Sequence, residues 1–62
     1  MTTNMYKTAA RAAEKKLEWE KAAKLWQAAI NHYPYTPVKG GWAEADLNLM
    51  KVNMQSCKAM VR

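Results

Sequence analysis

The sequence predicts an all-α fold: three helices, an antiparallel αα-hairpin plus a C-terminal helix, paired as a homodimer. Three observations carry that expectation. The block from Trp19 to Ile30 sets Ala22, Leu25, Trp26, Ala29 and Ile30, and then Tyr33, at intervals of three and four. That spacing gathers side chains on one face of a helix. Every proline and glycine lies in one stretch, Pro34, Pro37, Gly40 and Gly41, which marks a single long loop. Residues 42–60 then carry two apolar stripes, where a helix lying on one core needs only one.

The first helix is expected over about residues 4–17, with Thr3 or Asn4 capping the orphan N–H groups of its first turn. Tyr6, Ala9, Ala10, Ala13 and Leu17 form its apolar stripe, and Lys7, Arg11, Glu14 and Lys15 fall on the opposite, solvated face. Tyr6 reads as core, with a stacking platform as the rival role.

No glycine or proline separates Leu17 from Trp19, so one long rod is the rival to a hairpin. The phase of the pattern favours the break. Continuing the stripe from Leu17 would bring Glu20, Lys21 and Lys24 onto the apolar face, whereas the apolar residues resume at Trp19, Ala22 and Ala23. A tight turn near Leu17–Glu18 accounts for that shift. The second helix then runs over about 19–32. Its paired alanines admit a neighbouring backbone while Leu25 and Trp26 fill the space beside it. Glu20 and Lys24 make an exposed i,i+4 pair worth a few tenths of a kcal/mol.

The loop over 33–41 follows because Pro34 disfavours helical geometry at Tyr33. Pro37 stiffens it, and Gly40–Gly41 turns the chain. His32 reads as a C-terminal cap or a solvated residue. Tyr33 and Tyr35 are expected to close the end of a small core with their hydroxyls in water, a binding role being the alternative for this loop.

The third helix is expected over 42–60. Glu44 and Asp46 complement the positive end of its dipole, and Lys58 and Arg62 the negative end. Glu44, Asn48, Lys51, Gln55, Lys58 and Arg62 make a polar stripe. One apolar stripe runs through Trp42, Ala45, Leu49, Val52, Ser56 and Ala59; the other through Ala43, Leu47, Met50, Met54, Cys57 and Val61, with Met60 nearby. A two-helix hairpin covers one of them. Periodicity does not say which. The surplus, rich in adaptable methionine, points to a second copy or another partner, so Trp42, Leu47, Leu49, Met50, Val52, Met54 and Cys57 are the candidate interface residues.

Composition bounds the function. Sixty-two residues form one small domain, residues 1–62, and a chain of this size buries only about 60% of its unfolded surface. The lone Cys57 offers no disulfide and fits a reducing compartment. Residues 1–5 show no signal-peptide pattern, and no run approaches the roughly 18 apolar residues of a membrane span, so a cytoplasmic protein with no membrane contact is expected. The net charge of +5 comes from eight lysines and two arginines spread along the chain. Arginine does most base reading, so nucleic acid is at most a weak partner, with Asn48, Lys51, Gln55 and Lys58 as the candidate contacts.

Catalysis needs a nucleophile, a base or a metal set held together. One histidine and one cysteine 25 positions apart make no zinc arrangement, and Gly40–Gly41 after Lys39 is no phosphate loop. No catalytic residue, no metal and no cofactor is expected, and Cys57 reads as a buried thiol.

The sets Tyr6-x-x-Ala9-Ala10-x-x-Ala13-Glu14, Trp19-x-x-Ala22-Ala23-x-Leu25-Trp26-x-x-Ala29 and Trp42-Ala43-Glu44-Ala45 together resemble the small Anr-type proteins. These are helical negative regulators of AraC-type activators in enterobacteria and their phages. The central block also resembles the helical hairpin of tetratricopeptide repeats. Asp46 and Met50 depart from the Anr-type pattern, which carries a basic residue and often a cysteine there. Length and character are also similar to the early proteins that lambdoid phages encode between the exonuclease and excisionase genes. The resemblance implies a regulator of phage origin in the host bacterial cytoplasm. It would act on a host regulatory protein to favour lytic development. A DNA-binding regulator and a purely structural subunit are the alternatives.

Overall fold

A computed structural model describes residues 2–61. Three helices form in it: α1 over Thr3–Lys15, α2 over Trp19–Asn31 and α3 over Trp42–Met60. The chain is all-α among the described residues, and α2 is the central helix, packed against both α1 and α3. Arg62, expected beside the end of α3, lies outside the described residues.

The first helix starts one residue earlier than the sequence suggests. Its cap is Thr2, in extended geometry, whose hydroxyl accepts from the Met5 N–H at 3.3 Å. Thr3, one of the two expected caps, is buried instead, and its hydroxyl donates to the Ala29 carbonyl at 3.2 Å. This bond ties the start of α1 to the end of α2 and fixes the two helices as antiparallel.

The turn between them lies where the phase shift places it, but its chemistry corrects the reading of Leu17. The Glu18 N–H donates to the Ala13 carbonyl and the Leu17 N–H to the Glu14 carbonyl, each at 2.9 Å. That pair of bonds is a Schellman stop. It requires a left-handed residue after the cap, and Leu17 takes that role with φ of 60°. Leu17 is therefore outside α1 and 69% exposed, not the last member of its apolar stripe.

The core is built from small residues around one large one. Ala10 and Ala13 of α1 and Ala22, Ala23 and Ala29 of α2 are buried, and Trp26 is 1% exposed. Alanines at this density let helix axes approach closely, leaving irregular gaps for an unbranched side chain. Met50 and Met54 of α3 fill them, with Cys57 below. Tyr6, Trp19, Leu25, Ile30, Tyr33 and Leu47 pack around the edge.

The second helix ends at Asn31, with His32 as its cap and its N–H bonded to Ala28 at 3.0 Å. The exposed His32 ring stacks on Tyr6 with centroids 5.2 Å apart. The loop closes on a turn in which Gly41 N–H reaches the Val38 carbonyl at 2.8 Å, and Gly40 holds φ of 77°, a geometry suited to glycine. Gly41 caps α3 without a side chain, and the Glu44 carboxylate reaches back to the Gly40 N–H at 3.5 Å. As expected, Glu20 and Lys24 form an exposed pair, at 3.6 Å.

Candidate functional site: the open face of the third helix

Two polar clusters decide how α3 is rotated on the hairpin, and hence which face it leaves open. Both use a carboxylate that its sequence neighbours suggest lies in solvent. Glu14 turns inward. Its Oε1 accepts from the Trp26 indole N–H at 3.0 Å and from the Cys57 thiol at 3.1 Å, so one oxygen joins all three helices. The indole and thiol are buried donors that need an acceptor, and Glu14, next to Ala13 on α1, is in reach of both.

Asp46 does the same at the other end. It accepts from the Tyr33 hydroxyl at 2.9 Å through Oδ2 and from Lys7 Nζ at 3.2 Å through Oδ1. Thus Asp46 is a cross-helix acceptor, more than a first-turn charge. The Tyr33 hydroxyl is held by protein, contrary to the expectation that it lies in water, and Lys7 is drawn off the solvated face of α1. Burial pushes the Tyr33 hydroxyl up to about 12, helped by the carboxylate it donates to. Burial also pushes Asp46 upward, but bonds from Tyr33 and Lys7 outweigh it and hold the carboxyl below its ordinary range.

With both ends pinned, α3 turns Ala43, Met50, Met54 and Cys57 into the core, with Leu47 half-buried beside them. This settles which stripe faces the hairpin. It also corrects the candidate interface. Met50, Met54 and Cys57 fill the gaps between alanines and present nothing to a partner, and Leu47 presents little. The Cys57 thiol is raised to about 11 by burial and then by the adjoining Glu14 carboxylate, which keeps it protonated.

The other stripe stays uncovered. Trp42 is 67% exposed, Leu49 53% and Val52 60%. Ala45, Ser56 and Ala59 between them are exposed too. Trp42 meets Tyr35 edge to face at 4.9 Å, and Tyr35 meets Tyr33 at 5.7 Å. This is a continuous apolar strip along a 19-residue helix, not a scatter of single exposed residues. Residue periodicity locates the strip. How α3 is turned follows from a different signal, the demand for acceptors at Trp26 and Cys57.

The nucleic-acid candidates Asn48, Lys51, Gln55 and Lys58 are all exposed. Among the described residues no three His, Cys, Asp or Glu side chains gather in a way that could hold a metal, and no helix is long and apolar enough to cross a membrane. Comparison with family models, curated proteins and solved structures finds no match to this chain.

Proposed function

We propose that this chain is a small non-enzymatic regulator of phage origin that acts by protein–protein contact on a host regulatory protein to favour lytic development. The observation that carries the contact is the open face of α3, with Trp42, Leu49 and Val52 each more than half exposed. A strip of this kind suits an apolar helix or groove on a partner, and occlusion of a docking site is the mechanism. The regulator target rests on the resemblance of residues 6–45 to Anr-type proteins, and the phage setting and lytic role on the similarity of length and character to lambdoid early proteins. The non-enzymatic reading is supported by the state of Cys57, a buried thiol held protonated beside a carboxylate. The working place is the host cytoplasm, and a second copy of the chain is the natural occupant of the face when no target is present.

A second reading is favoured by one arrangement. Asn48, Lys51, Gln55 and Lys58 lie exposed along one side of α3, the side a duplex would meet if the protein were a small basic DNA-binding regulator. Scattered lysines neutralise phosphates without reading bases, so weak, salt-sensitive binding is what this surface supports.

Affinity capture from host cells tests the first reading. The wild-type chain should retain a host transcription regulator, and a Leu49→Glu, Val52→Glu variant of unchanged helicity should not. Equal capture by both would remove the α3 face from the mechanism. Nanomolar binding to one duplex sequence at physiological salt would install the DNA reading instead.

A further inference from the structure

We propose that the occupant of the open α3 face is a second copy of the chain, with the two α3 helices antiparallel about a two-fold axis between Met50 and Lys51. This deepens the reading of that face as an interaction surface and rests on it.

Trp42, Ala45, Leu49, Val52, Ser56 and Ala59 follow one another at steps of three, four, three, four and three. That is the seam of a two-stranded coiled coil, sustained over the length of the helix. All six residues are exposed, so the seam is complete and unoccupied.

In the antiparallel register, Trp42 of one copy falls opposite Ala59 of the second, Ala45 opposite Ser56, and Leu49 opposite Val52. The bulkiest residue meets one of the smallest at each end, and two aliphatic side chains of similar size meet at both central layers. The two Ala45–Ser56 layers between them are thin, so this register leaves two thin layers and overfills none. The parallel register stacks Trp42 on Trp42 and sets Ala45, Ser56 and Ala59 each against itself. One end is then overfilled and three layers are thin.

The chain carries +5, yet the positions bordering the seam are Asn48 and Gln55 on one edge and Asp46, Asn53 and Met60 on the other. Among the described residues none of these is a cation, and Asp46 is paired with Lys7 at 3.2 Å. Two copies therefore meet on the part of α3 where like charges do not oppose them. Antiparallel packing also sets the positive end of each helix dipole beside the negative end of its neighbour. The exposed cations of α3, Lys51 and Lys58, lie one row further round the helix, so a phosphate backbone or an acidic partner would meet them on its flank and not on this seam.

The arrangement makes target binding an exchange, in which an apolar helix of the regulator displaces the second copy. Capture of the target would rise less than in proportion to the concentration of the chain, because the dimer takes up part of what is added.

The test uses the whole chain. Sedimentation of the wild-type protein at about 100 µM, enough to populate a dimer of micromolar Kd, should give a dimer. Leu49→Glu should raise the dissociation constant about 100-fold or more, because symmetry places two unpaired charges in the apolar centre. Its circular dichroism should be unchanged, since Leu49 lies outside the core. For the register, Ala45→Cys and Ser56→Cys are made separately, both at exposed sites. Oxidised by diamide, an equal mixture should give a 45–56 cross-linked dimer, while each variant alone gives none. A cross-link in Ala45→Cys alone would overturn the antiparallel register. A wild-type monomer at 100 µM with no cross-link in the mixture would overturn the second copy as occupant. Target capture that still depends on Leu49 and Val52 would then leave the regulatory reading standing. Conversely, a cross-linked dimer that captures no regulator would uphold the second copy and overturn the regulatory reading.

Discussion

Lys7 Nζ lies 3.2 Å from Asp46 Oδ1, an ion pair that joins the first helix directly to the third. The two helices otherwise meet mainly through α2, so this contact and the Glu14–Cys57 bond set the rotation of α3. Burial alone would raise the Asp46 carboxyl, but bonds from Tyr33 and Lys7 hold it below its ordinary value of 3.8, so its ionised form favours the folded state. That stabilisation is present in full above about pH 4 and fades as pH falls through the lower folded-state value. Asp46→Asn should therefore cost about 1 kcal/mol at neutral pH and flatten the acid limb of the stability curve. Urea melts of both proteins from pH 7 down to pH 2 give the comparison. Parallel curves would mean the pair contributes nothing.

Glu14 should matter more than its place on α1 suggests. Glu14→Ala leaves the Trp26 indole N–H without its acceptor in a site 1% exposed, a loss of about 1–3 kcal/mol. Glu14→Gln keeps an acceptor oxygen and should recover part of it in chemical denaturation. The same cluster predicts alkaline behaviour. The thiol of Cys57 is raised from 9.0 to about 11, so its contribution is intact below pH 9 and is lost as pH rises toward 11, where the unfolded chain ionises first. Cys57→Ala should remove that part of the alkaline decline. An unchanged slope between pH 9 and 11 would show that the thiol is not the titrating group there.

The turn residue offers a stabilising change. Leu17 holds φ of 60° while 69% exposed, so it bears the strain of a left-handed conformation and buries little in return. Leu17→Gly should raise stability by about 1 kcal/mol, with glycine's greater unfolded-state entropy already set against the relief. In a chain this short that corresponds to a rise in Tm of about 4–8 °C. A fall in Tm would mean that the leucine side chain has a packing partner in the folded protein.

The helices and the loop are legible in the sequence because their signals are local. Trp42–Met60 follows from an unbroken helical pattern after Gly40–Gly41, and the hairpin break follows from a phase shift that no straight helix could absorb. Most departures share one cause. Thr3, Glu14 and Asp46 take roles set by what lies across the fold, not by neighbours in sequence, whereas Leu17 is a local helix stop without the glycine that usually marks one. A carboxylate beside an alanine stripe looks solvated until the donors on other helices are counted. Trp26 and Cys57 both fall on apolar stripes, and each brings a donor that needs a partner, so the acceptor is predictable in kind though not in position. The two stripes of α3 have the same period, and what separates them is the fit of unbranched methionines between alanines together with the Glu14–Cys57 and Lys7–Asp46 contacts.

That separation gives the sharpest contrast between the two faces. Met50 is fully buried and Leu49, its neighbour in sequence, is 53% exposed. Met50→Ala opens a cavity between Trp26 and the core alanines and should cost about 2–5 kcal/mol, enough to unfold much of a domain this small. Leu49→Ala should change the stability of the folded monomer by no more than about 0.5 kcal/mol. Its effect should appear instead in the concentration dependence of Tm, because a face buried only on association stabilises by mass action. Thermal melts of both variants at two protein concentrations, tenfold apart, resolve the two effects. For Met50→Ala the loss should be large at both concentrations. For Leu49→Ala it should grow with concentration, as the wild-type dimer fills and the variant does not. Equal losses for the two substitutions at low concentration would mean that both stripes pack inside a single chain.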